Sequence, residues 1–174
     1  MRHLVLIGLM GAGKTTVGRI CAERLGRPFV DTDDVVESLA HSTVAEVFAT
    51  DGEGRFRALE RQVVADIAAS PEALVVACGG GAVVDPENRR LLRASGHVVW
   101  LRARPAVLHE RVGDGAGRPL LESGPLPTLE RLATQREAAY TDAAHARVDT
   151  EGVDPQGVAD AVLAEWAERA ERES

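Results

Sequence analysis

The sequence predicts a three-layer α/β domain with a central five-stranded parallel sheet, and three observations carry that prediction. Short β-rich apolar runs alternate with helical patterns along the first 110 residues. A glycine-rich turn joins the first of these runs directly to a helix. The chain has 174 residues, 45% apolar and 27% charged, which is enough to bury one core without disulfide or metal staples.

The candidate strands are His3 to Ile7, Pro28 to Val30, Ala73 to Cys78 and His97 to Leu101, with a short fifth at Ala146 to Asp149. Parallel strands need crossovers, and helices with readable starts lie between them. Thr43 and Glu46 form a capping-box pattern ahead of Val47 and Phe48. Asp85-Pro86 and Asp154-Pro155 each place a capping carboxylate before proline at the first helical position. Phe56, Leu59, Val63 and Ile67 fall at helical spacing, the buried stripe of a helix from about Glu53 to Ala69, while Arg57, Glu60 and Arg61 project from another side. Residues 112–127, VGDGAGRPLLESGPLP, carry four glycines and three prolines and are too broken for a strand or helix. This stretch is expected to be a mobile lid on a single domain spanning 1–174.

Composition removes several classes of function. No apolar stretch is long enough to span a bilayer, and the amino-terminal run reads as a strand without the pattern of a signal peptide, so a cytoplasmic address is expected. Cys21 and Cys78 form neither a disulfide framework nor a zinc motif. A formal charge of −7 argues against nucleic acid as a partner, so any anionic ligand must be held by locally concentrated positive groups.

One basic residue stands apart: Lys14 is the only lysine among 20 basic residues. It belongs to Gly8-Leu9-Met10-Gly11-Ala12-Gly13-Lys14-Thr15, which satisfies GxxxxGK[ST] and runs from a strand into the helical pattern Val17, Ile20, Cys21, Leu25. Consecutive backbone N–H groups turning around phosphate oxygens need glycines and a helix N-terminus. Gly11, Ala12, Gly13, Lys14, Thr15 and Thr16 are therefore the expected ATP contacts, with Lys14 reaching the β and γ phosphates and Thr15 offering its hydroxyl to Mg²⁺. A guanidinium is too broad for a pocket built around an ammonium, which accounts for the lone lysine.

Two further clusters follow strand ends. Asp31-Thr32-Asp33-Asp34 comes after the second strand, and Asp31 and Asp33 can serve as an outer Mg²⁺ partner and a partner for a substrate hydroxyl, or these carboxylates, Asp34 more than Asp33, can cap a helix from Asp34 to Ala40. Gly79-Gly80-Gly81 comes after the third strand, either exposing N–H groups to a small ligand or forming a plain loop. Cys78 reads as a buried filler rather than a nucleophile.

Taken in order, GLMGAGKT, DTDDVVE, VFATDGE (Val47 to Glu53), FRALE (Phe56 to Glu60), CGGGAV, RPLL (Arg118 to Leu121) and REAAY with Arg136 and Tyr140 cover nearly the whole chain. Together they resemble the shikimate kinases, small enzymes of the nucleoside monophosphate kinase-like branch of P-loop proteins. The resemblance implies transfer of the ATP γ-phosphoryl group to the 3-hydroxyl of shikimate, on the route to chorismate and the aromatic amino acids, by a cytoplasmic monomer using Mg²⁺. It further implies that Asp33 accepts from the attacking hydroxyl and that Asp31 supports the metal through water, in an acceptor-binding region of about 31–61. Arg57 and Arg136 then hold the carboxylate, Glu60 orients Arg57, Gly79, Gly80 and Gly81 contact the ring, and Arg118 neutralises the transferred phosphoryl. Arg111 stacks on adenine, as does the loop near Pro155. A planar carboxylate independently calls for forked guanidinium donors, and Arg57 and Arg136 come from separate helices able to converge. His41 departs from the family, standing where a glycine commonly ends the helix, and Met10 occupies a variable loop position. The competing readings are a gluconate or nucleoside monophosphate kinase and a catalytically idle nucleotide-binding regulator.

Overall fold

The computed structural model describes residues 2–113 and 124–173. Its chain order is β1 (His3–Ile7), α1 (Lys14–Leu25), β2 (Phe29–Asp31), α2 (Thr32–Ala40), α3 (Val44–Ala69), β3 (Val75–Ala77), a 3₁₀ turn at Ala82–Val84, α4 (Pro86–Ser95), β4 (Gly96–Arg102), α5 (Pro105–Val112), α6 (Pro125–Ala143), β5 (Ala146–Asp149) and α7 (Pro155–Glu173). The five strands form one sheet in the order β2-β3-β1-β4-β5, every pair parallel. β1 lies at the centre, with Leu4 opposite Val75 on one side and His97 on the other, and all five of its residues are buried.

The connection from β1 to β2 runs one way along the sheet and that from β3 to β4 runs the other. Right-handed crossovers therefore place α1 and α4 on opposite faces. α7 packs with α1 on one face, and α3, α4 and α6 pack together on the other. The carboxyl ends of β1, β2 and β3 meet along one edge of the sheet, the position where open α/β folds bind ligands. Among the described residues no helix is long and apolar enough to cross a membrane.

The element order holds and several bounds are corrected: β4 runs one residue further at each end than His97 to Leu101, β2 ends at Asp31 rather than Val30, and α2 opens at Thr32 rather than Asp34 because Asp31 caps it. β2 begins at Phe29 rather than Pro28: proline has no N–H for the ladder, although its carbonyl accepts from Val75 N–H at 2.9 Å. β3 is shorter than Ala73 to Cys78, its regular pairing confined to three residues. The helix placed at about Glu53 to Ala69 begins at Val44, because the capping box at Thr43 and Glu46 is formed in both directions and the chain passes through a kink at Gly52 (φ 80°). The broken stretch 112–127 is narrower than expected, since Val112 ends α5 and Pro125 to Pro127 form the first turn of α6, whose opening proline needs no N–H partner. The rest of that stretch, including Arg118, lies outside the described residues.

His41 carries the departure noted in the sequence: it ends α2 with φ 52° and ψ 36°, and it is the only non-glycine among the described residues with positive φ. That backbone region disfavours a Cβ by about 1 to 2 kcal/mol, partly offset by the greater freedom of glycine in the unfolded chain. His41→Gly is expected to raise the melting temperature by about 1 to 3 °C, and His41→Val to lower it, as read by thermal denaturation.

Candidate active site

The site is a cavity of about 580 Å³ at the carboxyl edge of the sheet. Its floor is the loop between β1 and α1. Gly13 sits in the left-handed region (φ 92°, ψ 15°) and caps α1 without a side-chain bond, so the helix opens with its N–H groups toward the cavity. Lys14 folds back along the loop and donates from Nζ to the Leu9 carbonyl at 3.0 Å. Gly11, Gly13, Lys14, Thr15 and Thr16 line the cavity, whereas the expected contact Ala12 does not: its side chain is buried and its N–H donates to the Leu9 carbonyl at 3.1 Å.

The carboxylates after β2 take separate tasks. Asp31 is the N-cap of α2, its Oδ1 accepting from Asp33 N–H at 3.0 Å, while its Oδ2 accepts from the Thr15 hydroxyl at 2.8 Å. The cap is thus Asp31 alone, which frees the Asp33 side chain. Asp33 Oδ1 is buried with no protein partner among the described residues. Burial pushes the Asp33 carboxyl up to about 6, Asp31 adds to the shift, and Lys14 and Arg57 oppose it. Thr15 and Asp31 present an all-oxygen donor set beside the phosphate loop, which suits a hard cation such as Mg²⁺.

The opposite wall is built from arginines. Arg57 on α3 donates from Nη1 to Glu60 Oε2 at 2.7 Å and from Nη2 to Glu53 Oε1 at 3.4 Å. Glu60, only 1% exposed, is held higher than an ordinary carboxyl by burial, with Arg57 pulling it down. Arg136 on α6 is 7% exposed and its Nη1 has no partner among the described residues. Both guanidiniums converge on the triple glycine: an added Cβ would stand 2.5 Å from Arg57 Nη2 at Gly81 and 3.4 Å from Arg136 Nη1 at Gly80. At Gly79 a Cβ would sit 2.7 Å from Asp33 Oδ1 and 3.1 Å from Glu60 Oε1, so only glycine lets these groups approach one another.

Arg111 lines the cavity but is pinned, donating from Nη1 to the Thr150 hydroxyl (2.9 Å) and the Gly11 carbonyl (3.2 Å) and from Nη2 to the Thr150 carbonyl (2.8 Å). Pro155 begins α7 and is not part of the cavity lining. Sequence reasoning missed an apolar side of the cavity formed by Val44, Phe48 and Phe56. Phe56 had been assigned to the core stripe alone; the kink at Gly52 brings the Phe48 and Phe56 rings to 4.9 Å. It also missed Thr32, whose hydroxyl accepts from Gly79 N–H at 2.8 Å.

A phosphate loop on the central strand of a parallel 2-3-1-4-5 sheet, facing a half-buried carboxylate across the crevice, defines a P-loop kinase. The family model for shikimate kinase matches residues 10–167. The shikimate kinase of Symbiobacterium thermophilum is 50% identical over 173 residues, covering 98% of this chain and 99% of that protein. The shikimate kinase of Dechloromonas aromatica is 42% identical over 95% of this chain and 90% of its own. Among solved structures, a shikimate kinase from Acinetobacter baumannii in complex with shikimate superposes with a TM-score of 0.93 at 35% identity, covering 97% of this chain and 94% of that one. The chain belongs to the shikimate kinase family. A gluconokinase from Sinorhizobium meliloti 1021, at a TM-score of 0.56 and 21% identity over 99% of this chain and 97% of its own, shares the fold alone.

The raised Asp33 has a consequence for stability. Its folded value of about 6 lies above the unfolded value of about 3.9, so the ionised form opposes folding: the penalty is fully present above about pH 6 and is relieved below about pH 4. Asp33→Asn is expected to stabilise the protein by about 2 kcal/mol at pH 8 and by little at pH 4, as measured by urea unfolding at the two pH values.

Proposed function

We propose that the site carries out its family's reaction, ATP-dependent phosphorylation of shikimate at the 3-hydroxyl, with the chemistry divided among the side chains described above. The observation that supports this most is the convergence of Arg57 and Arg136 on the triple glycine, facing across one cavity an Asp33 oxygen that has no partner among the described residues. A small acid bearing hydroxyls meets this arrangement: forked guanidiniums take its carboxylate and the carboxylate oxygen takes a hydroxyl proton.

Phosphoryl transfer asks little covalent chemistry of the protein, so the residues act by positioning and by electrostatics. The N–H groups at the start of α1 cradle the phosphates, and Lys14 leaves the Leu9 carbonyl for the β and γ oxygens. Arg57, steadied by Glu60, and Arg136 dock the acceptor carboxylate so that the hydroxyl lies against Asp33. Asp33 must be ionised to accept that proton, and its raised value places the change close to working pH. Thr15 and Asp31 would hold Mg²⁺, which when bound neutralises charge on the phosphates. Arg118, outside the described residues, is assigned to the charge on the transferred group, Arg111 and the loop near Pro155 to the adenine. The same reading takes the enzyme to act as a cytoplasmic monomer.

A coupled assay of ADP release with shikimate, quinate and gluconate tests the reading. Turnover is expected with shikimate, with kcat/KM falling below about pH 6 as Asp33 takes up a proton. Equal turnover without an acceptor would identify an ATPase instead. Arg57→Lys and Arg57→Ala are expected to raise the shikimate KM in two steps, reaching about ten- to a hundredfold for alanine while the ATP KM holds. Lys14→Arg keeps the charge in a group too broad for the loop and is expected to reduce kcat by orders of magnitude with native circular dichroism.

A further inference from the structure

We infer that Thr32 and Tyr140 are positioning residues that clamp the triple glycine from two sides and so aim its backbone at the acceptor; this rests on the reading that the cavity takes shikimate. Three consecutive glycines have no side chains to hold them, and their backbone is the most freely rotating in any chain. Here two of its peptide groups, 78–79 and 80–81, are tethered by side chains. Thr32, fully buried in the first turn of α2, accepts from the Gly79 N–H at 2.8 Å. Tyr140 on α6, 1% exposed, donates its hydroxyl to the Gly80 carbonyl at 2.5 Å. Two backbone bonds also leave the stretch, from Ala82 N–H to the Gly79 carbonyl and from Val84 N–H to the Gly81 carbonyl, each at 3.0 Å, and both run to the short 3₁₀ turn that follows it.

The direction of these tethers matters more than their number. Every described peptide bond is trans, so a carbonyl and the N–H of the next residue point opposite ways. Turning the Gly80 carbonyl toward Tyr140 turns the Gly81 N–H away from the core, toward the cavity that Gly80 and Gly81 line. Thr32 stands between the Asp31 cap and Asp33, so the hydroxyl that fixes Gly79 is set by the same turn of chain that sets the proton acceptor. The phenol is itself immobile, its ring stacked on Trp100 at 5.3 Å and 26°. The two clamps thereby fix the glycine backbone relative to Asp33 on one side and Arg136 on the other.

Tyr140→Phe keeps the ring and its stacking and removes the hydroxyl contacts with the Gly80 carbonyl and with Arg136, Thr32→Val keeps the shape and removes the acceptor for Gly79 N–H alone, and Thr32→Ser restores it. The first two variants are expected to lower kcat/KM for shikimate about tenfold or more, with the ATP KM within twofold and the melting temperature near native, and Thr32→Ser to recover most of the loss. Hydrogen exchange of the Gly79 amide is expected to speed up in Thr32→Val. Native kcat/KM for shikimate in both variants, or equal losses toward ATP and shikimate, would overturn the inference. If the native protein failed to turn over shikimate, the functional reading would fall by itself, and unchanged Gly79 exchange in Thr32→Val would separately sink the clamp.

Discussion

The Asp31 carboxylate joins the two halves of the site. One oxygen receives the Thr15 hydroxyl from the phosphate-loop helix, and the other caps α2 through the Asp33 N–H. Helix α1, which follows the phosphate loop, and helix α2, which carries Asp33, the proton acceptor proposed above, are thereby referred to a single side chain at the end of β2. Because Asp31 satisfies the helix end, Asp33 is released from that duty and can keep an oxygen without a protein partner. In-line transfer demands that donor and acceptor be held in mutual register, and this bidentate carboxylate does that with two hydrogen bonds.

The acceptor wall solves a related electrostatic problem. The chain is acidic overall, yet it must hold an anion next to a triphosphate. Two arginines supply the local positive charge, and Glu60 beneath them keeps Arg57 oriented, its carboxyl raised by burial and pulled back down by Arg57. Buried polar atoms are rarely left unmatched, so Asp33 Oδ1, Glu60 Oε1 and Arg136 Nη1, without partners among the described residues, mark one region suited to a ligand that would complete the hydrogen bonding. Leaving buried polar atoms for a ligand costs folding stability, a common relation between active sites and folding.

The shared fold of the gluconokinase shows how little of this comes from topology alone. A parallel sheet with a phosphate loop at its central strand supplies a nucleotide site and a crevice. What enters that crevice depends on the side chains set at the ends of β2 and β3 and on the helices that cross above them.

The order of strands and helices was legible along the chain because hydrophobic period, capping pairs and turn residues are local signals: the Thr43–Glu46 box, the Asp85 cap and the β5 run stand where the pattern puts them. The phosphate loop was legible for the same reason, since its geometry is encoded within eight consecutive residues. Arg57 and Glu60 were readable as a pair one helical turn apart. Other features needed the folded chain. That Asp31 rather than Asp33 caps α2 and that Phe48 meets Phe56 across a glycine kink depend on local backbone angles that the residue pattern leaves open, whereas Thr32 and Tyr140 grip the triple glycine from 47 and 60 residues away, through contacts between elements distant in sequence. Local sequence sets backbone preference and helical spacing, but the direction of a hydroxyl or carboxylate among several partners is decided only when packing brings those partners within about 3 Å.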